Sequence, residues 1–301
     1  VAQIPRGAGE ALPWMASFVA EPPLSRPAAT QVRHDTSVVY RPTVYAHRGS
    51  SAEAPEHTLA AYRRAIEQGA DGLECDVRLT SDGHVVCVHD GRIDRTSTGR
   101  GRVSNQTLEE LKGLDFGSWR SVEGFDPPQE ERRAVLTLRG LLELVVDAGR
   151  PVRIAIETKH PQRYAGFLER RVLQELERVG LARPPRDGSS LVALMSFSEF
   201  ALRRMRALAP GIPRVFLMER VPVRCRGGFL PYGATIAGPS VSIIRKHPGF
   251  VRRLHAAGNG CYVWTVDRSE DVDVCAAAGV DGIITNRPGH VARRLTSSGH
   301  R

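Results

Sequence analysis

From Val44 to Asp90 the chain runs VYAHRGSSAEAPEHTLAAYRRAIEQGADGLECDVRLTSDGHVVCVHD, a succession of strand, helix, strand, turn and strand. Val44-Tyr45-Ala46 is a short apolar run that ends at His47-Arg48-Gly49, so polar groups stand where a strand stops. From Thr58 to Gln68 the residues Leu59, Tyr62, Ala65 and Ile66 recur at helical spacing, and Gly69 closes the segment. Leu73 to Leu79 reads as a second strand. Asp82-Gly83 makes a tight turn, and His84 to Val88 returns as a third strand that delivers His89-Asp90.

Glu74 and Asp76 lie two apart on the second strand, so both project from one face. Unpaired charge on a strand that otherwise looks buried is expensive. A divalent cation needs anionic oxygens converging on one point, and alternate strand positions supply them. His47 and His89, at strand ends, can exchange protons near neutral pH. Singly, each residue has a plainer reading as a hydrogen-bonded histidine or a solvated carboxylate. Together they mark a site.

This stretch resembles the glycerophosphodiester phosphodiesterase family, whose pattern runs His-Arg-Gly, Pro-Glu-Asn-Thr, Glu-x-Asp-Val, Thr-x-Asp-Gly and His-Asp. Here the motifs stand as His47-Arg48-Gly49, Pro55-Glu56-His57-Thr58, Glu74-Cys75-Asp76-Val77, Thr80-Ser81-Asp82-Gly83 and His89-Asp90. His57 takes the place of the family's asparagine. Asp94-Arg95-Thr96 and, later, Val263-Trp264-Thr265-Val266-Asp267 and Gly282-Ile283-Ile284-Thr285-Asn286-Arg287-Pro288 are similar to the family as well, so the likeness runs from about Thr43 to Pro288.

The rest of the chain agrees with an α/β protein. Thr137 to Ala148 is an amphipathic helix, and Val152 to Lys159 a strand whose end carries Glu157 and Lys159 on one face. Helices are expected at Tyr164 to Val179, Glu199 to Leu208, Pro248 to Ala257 and Ser269 to Ala278, with a short one running to Arg294. Strands are expected at Leu191 to Phe197, Arg214 to Met218, Ala234 to Ala237, Cys261 to Val266 and Asp281 to Asn286. This alternation, without a glycine-rich nucleotide loop, predicts a (β/α)8 TIM barrel. Nine candidate strands compete for eight places, so either His84 to Val88 or Ala234 to Ala237 is accessory. The expected organisation is an irregular N-terminal arm over 1–40, docked through Trp14, Met15, Phe18 and Val19, a barrel over 41–295, and a tail over 296–301. A small insertion follows the third strand, over about 92–135, with a helix at Thr107 to Leu114 and a Pro127-Pro128 break. Trp119 and Phe125 of the insertion are candidates for a headgroup pocket or for the insertion's own packing.

Composition narrows the class. With 41% apolar and 25% charged residues the 301-residue chain is globular, and no apolar run is long enough to cross a bilayer. The net charge of +9 comes from dispersed arginines rather than a basic tract, so nucleic acid is not an expected partner. Five cysteines without CxxC spacing argue against a zinc site or a disulfide scaffold, and Cys75, Cys87 and Cys261 read as small buried hydrophobes, with a Cys75–Cys87 bridge as the alternative. The chain opens on Val1, which is compatible with a preceding segment, so the compartment reads as cytoplasmic or secreted. Composition does not set the oligomeric state.

The resemblance implies metal-dependent hydrolysis of a small-molecule glycerophosphodiester to sn-glycerol 3-phosphate and an alcohol. By that likeness Glu74, Asp76 and Glu157 would hold one divalent cation, Ca2+ or Mg2+. Arg48 and Lys159 would face the phosphate, Trp264 would pack on the glycerol, and His47 and His89 would be the acid/base pair. One enzymatic alternative is a phospholipase D-like activity on lysophospholipid or sphingomyelin, which would need an apolar groove for the acyl chain. Another is a non-catalytic anion or nucleic-acid binder, supported only by the net charge.

Overall fold

The computed structural model describes residues 41–123, 128–160, 166–185 and 189–298, all within the second of the chain's two units, Val39–Arg301. The expected arm, Phe125 and Pro127 lie outside the described residues. Nine strands occur among those described: β1 (Thr43–His47), β2 (Gly72–Leu79), β3 (Val85–Cys87), β4 (Arg153–Thr158), β5 (Val192–Ser196), β6 (Arg214–Met218), β7 (Ile236–Pro239), β8 (Gly260–Val263) and β9 (Gly282–Thr285). Eight of them pair in parallel in the order β1-β2-β4-β5-β6-β7-β8-β9, and β9 pairs back onto β1, which closes a (β/α)8 barrel. The ninth, β3, is antiparallel to the far end of β2, with Val77 opposite Cys87 and Leu79 opposite Val85. The accessory strand is therefore the one that delivers His89. The weak apolar run near Ala234 belongs to the barrel as β7.

Ten helices are described: α1 (Leu59–Glu67), α2 (Leu108–Lys112), α3 (Gln129–Arg133), α4 (Leu138–Val146), α5 (Phe167–Arg178), α6 (Glu199–Leu208), α7 (Val241–Lys246), α8 (Gly249–Ala256), α9 (Ser269–Ala278) and α10 (Pro288–Ser298). Their starts follow capping chemistry. Thr58 accepts from the Ala61 amide, Thr137 from Gly140 and Ser198 from Ala201, each satisfying an amide that the helix itself leaves orphaned. Thr107 and Glu110 form a reciprocal capping box at α2.

Strand parity sorts the barrel into two cores. Tyr45, Ala155, Ala193, Met195, Val215, Leu217 and Ile284 fill the barrel interior. Their neighbours in sequence, such as Val44, Ala46, Ile154, Ile156, Leu194 and Ile283, pack outward against the helices. The insertion carries a third cluster, in which Val88, Ile93, Val103, Leu111 and Phe116 gather under β3. All five cysteines are free and buried, so no Cys75–Cys87 bridge forms. No described helix is long and apolar enough to cross a membrane.

Candidate active site

Parity also builds the site. Along each barrel strand, the residue two beyond the last inward-facing apolar side chain again points inward, now at the C-terminal rim. Tyr45 leads to His47, Ala155 to Glu157, Met195 to Phe197, Leu217 to Glu219 and Ile284 to Asn286. Apart from Asn286, these rim residues line one inner cavity of about 170 Å3, which also takes in Arg48, Glu74, His89, Lys159 and Trp264. A more open cavity of about 420 Å3 continues it past His89, Lys159 and Phe197 towards Arg78 and Ser198.

Glu74 and Asp76 come from β2 and Glu157 from β4, where Asp76 and Glu157 are register partners. Each of the three offers a carboxylate oxygen, and these oxygens lie within 4.8 Å of one another at buried positions. Doubling a cation–oxygen distance of ~2.0–2.6 Å gives a span of ~4–5 Å across one ion, so the set is sized for a single divalent cation. Burial, and then the charge of Asp76, pushes the Glu157 carboxyl up to about 8 and holds Glu74 well above the usual range. Burial would raise Asp76 too, but His57, Lys159 and Arg48 outweigh it and hold the group well below its ordinary value. A donor set that must otherwise retain protons fits a divalent cation.

Two cations flank the carboxylates. Lys159 Nζ stands 2.9 Å from Asp76 and 2.8 Å from Glu157, while Arg48 Nε stands 2.9 Å from Asp76. Arg48 adopts a left-handed backbone (φ 58), so that its amide donates to Glu74 while its side chain turns to Asp76. Gly49 must follow: a Cβ there would lie 2.7 Å from the Ala61 carbonyl carbon, and its φ is +84. His57, in the family's asparagine position, also has a positive φ (60). Its Nε2 lies 3.1 Å from Asp76 and its Nδ1 2.9 Å from the Tyr62 hydroxyl, which donates to the Glu74 carbonyl. The substituted position thus steadies two of the three clustered carboxylate residues, Asp76 and Glu74.

The two histidines are held differently. Asn286 donates from Nδ2 and from its backbone to Asp267, which turns its amide oxygen to His47 Nδ1 at 2.7 Å. His47 must then carry its proton on Nδ1, and its free Nε2 faces Glu74 at 4.0 Å. Burial and the neighbouring Arg48 lower His47 to about 4. His89 Nδ1 instead lies 2.7 Å from Asp90, a carboxylate. Asp90 accepts from Arg95, which grips Glu56 with both terminal nitrogens, and Glu56 accepts from Arg48. One chain of ion pairs therefore links the loops carrying His47 and His89. Arg78 fixes the His89 carbonyl from below.

All of the expected site residues, His47, Arg48, Glu74, Asp76, His89, Glu157, Lys159 and Trp264, gather at this rim. Trp264 is partly buried, donates from Nε1 to the Gly238 carbonyl and meets Phe197 edge-on at 5.4 Å. Trp119 does not line either cavity; its indole N–H goes to the Phe116 carbonyl and Arg95 lies over its ring, so it holds the insertion together. Asn286, Glu219 and Phe197 were not singled out from sequence. The signal that finds them is their place two residues beyond an inward apolar position.

Residues 47–290 match the pattern of the Glycerophosphoryl diester phosphodiesterase family. The chain belongs to this family. It is 46% identical over 255 residues to "Probable glycerophosphodiester phosphodiesterase 1" of Mycobacterium tuberculosis, covering 85% of this chain and 93% of that one. It is 35% identical to the glycerophosphodiester phosphodiesterase of Caldanaerobacter subterraneus, covering 81% and 94%. Among solved structures, an Oleispira antarctica phosphodiesterase in complex with the product sn-glycerol-3-phosphate superposes with a TM-score of 0.72 at 26% identity, covering 85% and 97%. A glycerophosphodiester phosphodiesterase family member of this kind is a phosphoric diester hydrolase, and this chain is such an enzyme.

Proposed function

We propose that the protein hydrolyses glycerophosphodiesters to sn-glycerol 3-phosphate and a free alcohol, using His47 as general base and His89 as general acid. The observation that carries the reading is the meeting of two differently partnered imidazoles with three carboxylates in one cleft. Glu74, Asp76 and Glu157 hold the cation. A Ca2+ or Mg2+ ion held there would supply positive charge that offsets the charge of the phosphate. Arg48 and Lys159 add charge-assisted hydrogen bonds to the phosphoryl oxygens as negative charge builds on them.

His47 is suited to take a proton, because an amide oxygen fixes its tautomer and offers no charge to favour the imidazolium. It removes the proton of the attacking oxygen as a new P–O bond forms, the nucleophile being water itself or the glycerol 2-hydroxyl, in which case water then opens the cyclic phosphate to glycerol 3-phosphate. Burial lowers the His89 imidazole below its ordinary value, but the carboxylates of Asp76 and Asp90 oppose that loss, whereas His47 Nδ1 meets only a neutral amide oxygen, so we assign His89 the role of giving a proton. It protonates the departing alkoxide as the second P–O bond breaks. Trp264 packs on the glycerol carbons beside Leu217 and Ile284.

The outer cavity favours a small polar alcohol over an acyl chain. Arg78, Asp90, His160, Ser196 and Ser198 line it, and Phe197 is the one large apolar residue among its described lining residues. The test is release of glycerol 3-phosphate from glycerophosphocholine, glycerophosphoethanolamine and glycerophosphoglycerol, beside lysophosphatidylcholine, with chelator and metal add-back. Metal-restored turnover of the first three supports the reading. Turnover of lysophosphatidylcholine alone, or none, contradicts it.

A further inference from the structure

A cavity of about 630 Å3, larger than either part of the catalytic cleft, lies between the segment after β6 and helices α7 and α8. Phe250 and Ile243 are buried in its wall, and Arg220, Arg226, Lys246 and Arg253 bring four positive charges to it. Glu219 is the one carboxylate residue among its described lining residues. Arg253 is fixed, with Nε donating to the Arg226 carbonyl and its guanidinium over the Phe250 ring. The side chains of Arg220, Arg226 and Lys246 meet no hydrogen-bond acceptor or carboxylate among the described residues. Several other arginines are paired: Arg41 with Asp71, Arg139 with Glu175, Arg204 with Glu169 and Arg294 with Asp273. Four positive charges against one carboxylate among the described residues of a concavity raise the local anion concentration, and its volume is that of a small-molecule site.

Glu219 decides what kind of anion. It lines both this cavity and the inner catalytic cavity, so it stands at their junction. A carboxylate there repels a phosphate but accepts from hydroxyl groups. A ligand that spans the junction therefore has phosphate at each end and a hydroxylated linker between. We propose that the basic cavity holds a second phosphoryl group of the substrate itself, so that the preferred glycerophosphodiesters carry a further phosphate on the polyol. This deepens the phosphodiesterase reading above and rests on it.

The test compares glycerophosphoglycerol with the same diester bearing a terminal phosphate monoester, in wild type and in the double variant Arg226→Ser/Lys246→Ser. Both positions are exposed and lie outside the catalytic cleft. The wild type is expected to favour the monoester-bearing substrate in kcat/KM, through KM, by about tenfold, the order of two solvent-exposed charged contacts. The double variant should lose that preference, with an unchanged Tm and glycerophosphoglycerol turnover unchanged within about twofold. Equal kcat/KM for the two substrates in wild type overturns the inference while leaving the phosphodiesterase reading intact. Equal losses on both substrates in the variant overturn it as well. Hydrolysis of neither substrate by the wild type brings down the underlying reading and the inference with it. Vesicles of phosphatidylglycerol form the last arm: if the variant loses vesicle co-sedimentation but keeps the substrate preference, the cavity serves a lipid surface and the inference fails.

Discussion

The side-chain oxygen of Asn286 accepts from His47 Nδ1 at 2.7 Å, and Asn286 is locked in place by donating to Asp267 from both its side-chain Nδ2 and its backbone N–H. The first and last strands of the barrel are neighbours, so closing the barrel is what brings these residues together. A residue 239 positions away thus sets the tautomer of the proposed base.

Asn286→Ala removes that acceptor and frees the imidazole to rotate and change tautomer. The expected outcome is a fall in kcat of about 10–100-fold, with metal affinity preserved. Steady-state kinetics with a parallel metal titration checks it. A change confined to KM would show that Asn286 does not act through His47.

His57→Ala should weaken metal binding rather than substrate binding, because His57 touches Asp76 and supports Tyr62 beneath Glu74. Loss of such a supporting contact lowers metal affinity by about 10–100-fold. Calorimetric titration of the metal-free protein with Ca2+ and Mg2+ measures it directly. His57→Asn, which restores the residue type of the family pattern, should recover most of the loss.

Arg95→Ala cuts the link between Glu56 and Asp90 and leaves His89 held by an untethered carboxylate. Turnover should fall by about tenfold, the usual scale for a supporting group, and Arg95→Lys should restore only part because it cannot grip both partners as a planar fork.

Acid sensitivity should trace to Glu169 on α5. It is 2% exposed, accepts from Arg204 of α6 and faces His160. Burial raises its carboxyl, yet His160 and Arg204 outweigh that and bring it from 4.5 to about 2. A lowered folded-state value means that the contribution is present above the unfolded value. It is lost as pH falls from about 4.5 towards 2. Its size is on the order of 3 kcal/mol. Urea unfolding from pH 7 to pH 3 should show wild type losing stability relative to Glu169→Gln. Parallel curves would remove Glu169 from the account.

The legibility of this protein in its sequence follows from where charge interrupts apolar strands. Glu74 and Asp76 within β2, and Glu157 at the end of β4, stood out because buried-looking strands rarely carry such groups. Asn286, Glu219 and Phe197 obey the same parity but are ordinary residues for a strand end, so only the closed barrel shows their aim. β7 was read two residues early because Gly238 and Pro239 dilute its strand character, although both lie in the strand. The helix α7 was not expected at all. Its six residues sit between Pro239 and Pro248, too short for a helical period to declare itself. The helix α3 in the insertion escaped for the same reason, with no apolar residue in Gln129–Arg133. The competition of nine strands for eight places could not be decided by local pattern, because β3 differs from a barrel strand only in its partner.

The most direct test of the central claim changes the leaving group. Compare glycerophosphocholine with glycerophospho-p-nitrophenol, whose departing phenolate needs no proton, in wild type, His47→Ala and His89→Ala with metal present. His47→Ala is expected to lose both activities while still binding metal, and His89→Ala to lose the choline ester but keep most turnover of the nitrophenyl ester. Rescue of His47→Ala by the nitrophenyl ester instead, or full activity of either variant on glycerophosphocholine, would contradict the assignment of base and acid.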